Sequence, residues 1–123
     1  MARVPRLATT VAVAILGASV LNPRWIGPSG PDAVLGLAAW LHLVGYAALG
    51  AALRPRFSPG WCGVAVAVVL ATGYGAGIEC LQSLLTYRTA SALDAAINGI
   101  GASLGVVLRC AVERRRARGR AEP

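Results

Sequence analysis

Glu79-x-x-Gln82-x5-Arg88-x5-Asp94-x3-Asn98 places two carboxylates, two carboxamides and a guanidinium at set intervals in an otherwise apolar stretch. Together such groups can hold a polar headgroup. The guanidinium matches a phosphate, the amides offer neutral hydrogen bonds, and the acids fix the cation. Charges inside membrane-grade sequence cost about 2.5–3.5 kcal/mol each on insertion scales, so they mark functional sites by default. Glu79 carries this argument furthest: its side chain is too short to snorkel, and no helix cap accounts for it. Upstream, His42 and Tyr46 stand at i and i+4, on one helix face, and extend the set.

Each of these residues also has a structural reading. Asp94 follows Ser91 in an S-x-x-D capping pattern at the positive end of a helix. Arg88 can snorkel to headgroups, Asn98 can clamp two helices, and a lone His42 fits a satisfied core histidine. Gly101 and Gly105 form a small-xxx-small face and Ala95 and Gly99 another, whose expected role is close helix packing. Glu79 as a general base on a lipid substrate ranks below binding. The chain shows no nucleophile–base pair and no phosphate-cradling loop, so no catalytic residue and no cofactor are assigned. A single His without HxxxH or CxxC spacing gives no metal site. Cys62, Cys80 and Cys110 are expected to be buried, inert thiols rather than a disulfide framework.

The elements that must position these groups follow from composition. Of 123 residues, 56% are hydrophobic and only 14% charged. Soluble domains carry about a quarter charged residues, so the chain is expected to be a membrane protein. Four apolar stretches predict transmembrane helices at 7–22, 33–53, 61–85 and 92–112. A spanning helix needs about 20 residues, which makes the first the shortest candidate. Pro23, Pro28 and Pro31 break the first connection, and Pro55 and Pro59 the second. The short link Thr86–Ser91 predicts an antiparallel hairpin of spans three and four. The expected fold is an all-α membrane protein of one domain, residues 1–112, with a basic tail at 113–123.

Arginines set the expected orientation. Arg3, Arg6, Arg54, Arg56, Arg109 and the tail residues Arg114, Arg115, Arg116, Arg118 and Arg120 fall on one side, against Arg24 and Arg88 on the other. That bias predicts both termini in the cytoplasm, with four passes through the membrane. The tail fits an anionic lipid surface rather than nucleic acid. A cleaved signal peptide is the rival reading of span one, but Ala18-Ser19-Val20 is a poor cleavage site. In this orientation the polar groups of spans two, three and four converge in the outer leaflet, as an outward-facing pocket.

The segment Glu79-x-x-Gln82, Arg88, Asp94-x-x-x-Asn98-x-x-Gly101-x-x-x-Gly105 resembles the VanZ-like family of small membrane proteins. A weaker match is His42-Leu43-Val44-Gly45-Tyr46, and together they cover roughly residues 40–108. Family members often carry an Asp-Lys pair just before the span-two His, and here Ala38 and Ala39 stand there. The resemblance implies a multi-span protein of a prokaryotic plasma membrane, with a link to the cell envelope and to glycopeptide (teicoplanin) resistance. It supplies no reaction. The expected function is an outward-facing pocket for a lipid headgroup or a lipid-linked cell-envelope precursor. The alternative is an accessory scaffold in which the polar residues lock a helical hairpin. Expected partners are a membrane lipid, and a membrane protein partner or second copy of the chain.

Overall fold

The computed structural model describes residues 3–21, 36–86 and 91–121. Among them the fold is all-helical, with no strand. Helix α1 runs Arg3–Val20, α2 Leu37–Leu53, α3 Trp61–Gln82 and α4 Ala92–Ala121, with a 3₁₀ turn at Arg54–Arg56 closing α2. Leu37–Arg56, Trp61–Gln82 and Ala92–Ala121 are long and apolar enough to cross a membrane, while the apolar part of α1, Arg6–Val20, is shorter. The expected first residues of span two, and Asn22 at the end of span one, lie outside the described residues. Helix α3 stops at Gln82, short of the expected residue 85, and α4 continues unbroken through the arginine-rich tail to Ala121.

The helices are built inside out relative to a water-soluble bundle. Large apolar side chains point outward: Leu37, Leu41, Val44, Val69, Val107 and Leu108 are all exposed. Small and polar residues face inward. Along α3 the buried positions are Gly63, Ala67, Ala71, Gly75, Ile78, Glu79 and Gln82, a stripe at roughly one-turn spacing. Lipid tails solvate leucine as well as a protein core does, so helices in a membrane associate where small residues let backbones approach. The same logic corrects the reading of the cysteines. Cys62 and Cys80 are exposed on the outer surface and Cys110 is only partly buried, because the inward positions belong to residues that pack more closely.

The tightest pairing is α2 against α4, more extensive than the α3–α4 hairpin contact. Its cause is three glycines. A Cβ on Gly50 would run into the Ala102 carbonyl, one on Gly101 into that of Leu43, and one on Gly105 into that of Ala47. Tyr46, Leu49, Ala71 and Ala102 form the core that this approach creates. Helix α1 is docked by two side chains of α3. The Tyr74 hydroxyl donates to the Ala12 carbonyl at 2.6 Å, and Gln82 Nε2 to the Ser19 carbonyl at 3.1 Å.

The turn after α2 is held by Arg54, which is buried. Its Nη1 donates to the carbonyls of Phe57 and Ser58, and its Nε to Cys110 Sγ on α4. Gly60, at φ 106°, then starts α3 in a conformation that a side chain disfavours.

Candidate functional site

The polar residues of three helices meet at one end of the bundle. Helix α2 brings His42 and Tyr46, whose rings stack with centroids 6.1 Å apart. Helix α4 brings Asn98, which is fully buried. Between them His42 Nδ1 donates to Asn98 Oδ1 at 2.8 Å, across 56 residues of sequence. Because the amide oxygen can only accept, Nδ1 is the donor in this bond. Helix α3 makes room: a Cβ at Gly75 would stand 2.9 Å from Asn98 Nδ2 and 3.0 Å from Tyr46 Cε1.

Glu79 enters from α3, one turn beyond Gly75. It is 7% exposed, and its Oε2 accepts the backbone N–H of Ser91 at 3.2 Å. The carboxylate thus ties the end of α3 to the residue that starts α4. Ser91 performs the cap expected of it, its hydroxyl accepting the Asp94 N–H at 3.3 Å. That leaves the Asp94 side chain free to turn inward. Donor atoms of His42, Glu79 and Asp94 all lie within 4.8 Å of one another.

Three buried polar atoms here have no hydrogen-bond partner among the described residues: the Tyr46 hydroxyl, Glu79 Oε1 and Asn98 Nδ2. A buried polar group without a partner costs about 1–3 kcal/mol, so three in one place are a feature that structure alone does not reward.

Of the residues singled out by the sequence, His42, Tyr46, Glu79, Asp94 and Asn98 come together. Gln82 is one turn beyond Glu79 and spends its amide on α1. Arg88 lies outside the described residues. Gly101 and Gly105 are on the α2 side of α4, below Asn98. Sequence reasoning missed Gly75, Ser19 and the apolar cleft beside the site. That cleft, about 330 Å³, is lined by Val11, Ile15 and Ala18 of α1 and by Leu41, His42 and Tyr46 of α2. It adjoins the polar cluster at His42 and Tyr46, and its size falls within the range of ligand pockets, about 300–1,000 Å³.

The fold and site define a helical membrane protein with a buried polar cluster and an adjacent apolar cleft. Comparisons with protein-family models, curated proteins and solved structures give no match.

Proposed function

We propose that this protein binds the polar head of a membrane amphiphile, a lipid or a lipid-linked cell-envelope precursor, in the cluster formed by His42, Tyr46, Glu79, Asp94 and Asn98. The observation that carries the reading is the set of unpartnered buried atoms on three different helices: Tyr46 hydroxyl, Glu79 Oε1 and Asn98 Nδ2. A ligand that donates to the carboxylate and accepts from the hydroxyl and the amide removes the cost of burying them. The apolar cleft along α1 and α2 supports an amphiphile over a free polar solute, since an acyl chain entering it reaches the polar groups through His42 and Tyr46. The four-pass topology with both termini cytoplasmic, the outward-facing mouth and the kinship with VanZ-like proteins belong to the same proposal. Arg88, three residues before Ser91 in the chain, is its candidate contact for a phosphate.

The test is lipid retention. Wild type, Glu79→Gln and Arg88→Ala are purified in mild detergent, and the lipids that travel with them are compared by mass spectrometry. The proposal expects a species enriched on the wild type and depleted on both variants. Equal profiles overturn it.

A scaffold role is favoured by a different observation, the hydrogen bonds that cross-link helices: His42 to Asn98 and Gln82 to the Ser19 carbonyl. In that role Gln82→Ala lowers the amount of folded protein in the membrane and no lipid is retained selectively by the wild type.

A further inference from the structure

The chain contains one histidine, and no ligand spacing surrounds it; the fold supplies its neighbours from elsewhere. His42 of α2, Glu79 of α3 and Asp94 of α4 each offer a donor atom, and these atoms lie within 4.8 Å of one another. Among the described residues none of the three hydrogen-bonds or ion-pairs with another. They converge on a common space without touching.

Three features give this convergence the makings of a coordination site. His42 Nδ1 is bonded to Asn98 Oδ1, which leaves Nε2 as the nitrogen able to ligate when the ring is neutral, and the ring is held by a side chain with no exposed surface. Coordinating imidazoles are held this way, by a hydrogen bond from the nitrogen that does not ligate. Glu79 is more than nine-tenths buried; one oxygen is anchored by the Ser91 N–H and the other, Oε1, has no partner among the described residues. Finally there is charge. Carboxylates this close repel when both are ionised, and burial makes a charge on Glu79 costly without a compensating cation. A divalent ion with two carboxylates and one neutral imidazole is neutral as a unit.

We propose that His42, Glu79 and Asp94 bind a divalent first-row transition cation of the Zn²⁺ or Mn²⁺ class. One nitrogen and two carboxylate oxygens suit ions of borderline hardness. Donors about 2.0–2.2 Å from such an ion stand roughly 3–3.5 Å from each other, so binding closes any separation that approaches the 4.8 Å limit. Three protein ligands leave at least one coordination position open, and a phosphate or carboxylate oxygen of the amphiphile's head fills it. This inference rests on the reading of the pocket as a ligand site and names what the head of that ligand meets there.

The test uses the full chain in detergent with Cys62, Cys80 and Cys110 replaced by Ser, so that no thiolate competes as a ligand. The protein is stripped with a chelator and titrated with Zn²⁺, Mn²⁺ and Mg²⁺ by calorimetry, and with Co²⁺ while its visible absorption is followed. The proposal expects saturation at one ion per chain and ligand-field bands from Co²⁺. It also expects affinity for the transition ions above that for Mg²⁺, weakened about tenfold or more in Glu79→Gln and Asp94→Asn. The Co²⁺ spectrum is read on protein with the site intact, so it decides even where a variant fails to fold. No saturable binding, or binding undiminished in folded Glu79→Gln and Asp94→Asn, overturns the cation site; the former is also the outcome if Arg88 supplies the compensating charge. Lipid retention measured on the same preparations separates the two proposals. Protein that holds its lipid but takes up no cation keeps the pocket and loses the metal, and protein that holds neither loses both.

Discussion

Asn98 is the residue on which the site turns. It occupies the centre of the α2–α3–α4 junction with no exposed surface, accepts the His42 hydrogen bond on its oxygen, and leaves its own N–H groups beside Tyr46 and Gly75. Hydrogen bonds between membrane helices are worth about 0.6–2 kcal/mol. Asn98→Ala therefore costs the fold about that much, a drop of a few degrees in the detergent melting temperature. Its effect on ligand retention should be larger than its effect on stability, because His42 loses the bond that orients its ring. A variant that melts lower yet keeps full retention shows that Asn98 serves packing alone. The residue types and their order were legible in the sequence, since a deep carboxylate and a mid-helix amide are expensive in apolar surroundings. Their pairing was not. The expected partners of Glu79 were Arg88, His42 or Asn98; Arg88 lies outside the described residues, and the described contact is a backbone N–H of Ser91. A backbone group leaves no trace in residue identity, so no pattern could have announced it.

The helices themselves follow from length and apolar content, and their ends from proline and glycine. Their mutual arrangement follows from where side chains are missing. Gly50, Gly101 and Gly105 let α2 and α4 meet backbone to backbone. Gly105→Val is expected to force them apart, since even a Cβ there overlaps the Ala47 carbonyl. The expected outcome is loss of most folded protein from a detergent extract, followed by fluorescence-detected size exclusion. Gly119→Ala, on the exposed end of α4 with nothing within 4 Å of its Cβ, is the control. It should leave that profile unchanged or raise stability slightly, through a helix propensity gain of up to about 1 kcal/mol. Had Gly105→Val behaved like Gly119→Ala, the α2–α4 contact would not hold the bundle together. The small-xxx-small spacing told that α4 packs closely, and the structure shows Gly101 and Gly105 making the backbone approach. The spacing did not tell that the partner is α2 rather than the hairpin neighbour α3, because chain proximity argues for α3 and only the complementary Gly50 argues for α2.

At the scale of the whole molecule, apolar surface and arginine are segregated. The sides of the bundle carry exposed leucine, valine and tryptophan, and α4 projects a helix bearing five arginines beyond Glu113. Such a distribution fits a bilayer around the sides and anionic headgroups at the arginine-rich end. The proposed topology predicts that green fluorescent protein fused after Pro123 fluoresces in intact bacteria and that alkaline phosphatase at the same position is inactive. The reverse pattern would place the arginine tail outside and turn the pocket mouth toward the cytoplasm. Arg54 departs from its expected place among the loop arginines: it is buried, its charge spent on two carbonyls and a thiol at the base of the bundle. Counting arginines by position in the chain treats each as a surface charge, and one that folds back into the turn escapes that count.

Composition and the placement of apolar runs, prolines and glycines determined by themselves that this chain is helical, that it is built for a membrane, and which polar residues carry an unusual cost. Those properties are local, fixed by transfer free energy and backbone geometry residue by residue. The sequence placed these groups in one leaflet; only the tertiary structure decided that ligand atoms of an imidazole from α2 and carboxylates from α3 and α4 come within 4.8 Å of one another, and that an apolar cleft opens beside them. That outcome depends on how closely two helices approach across a separation of 56 residues, a sum over many small contacts that no single stretch of sequence contains.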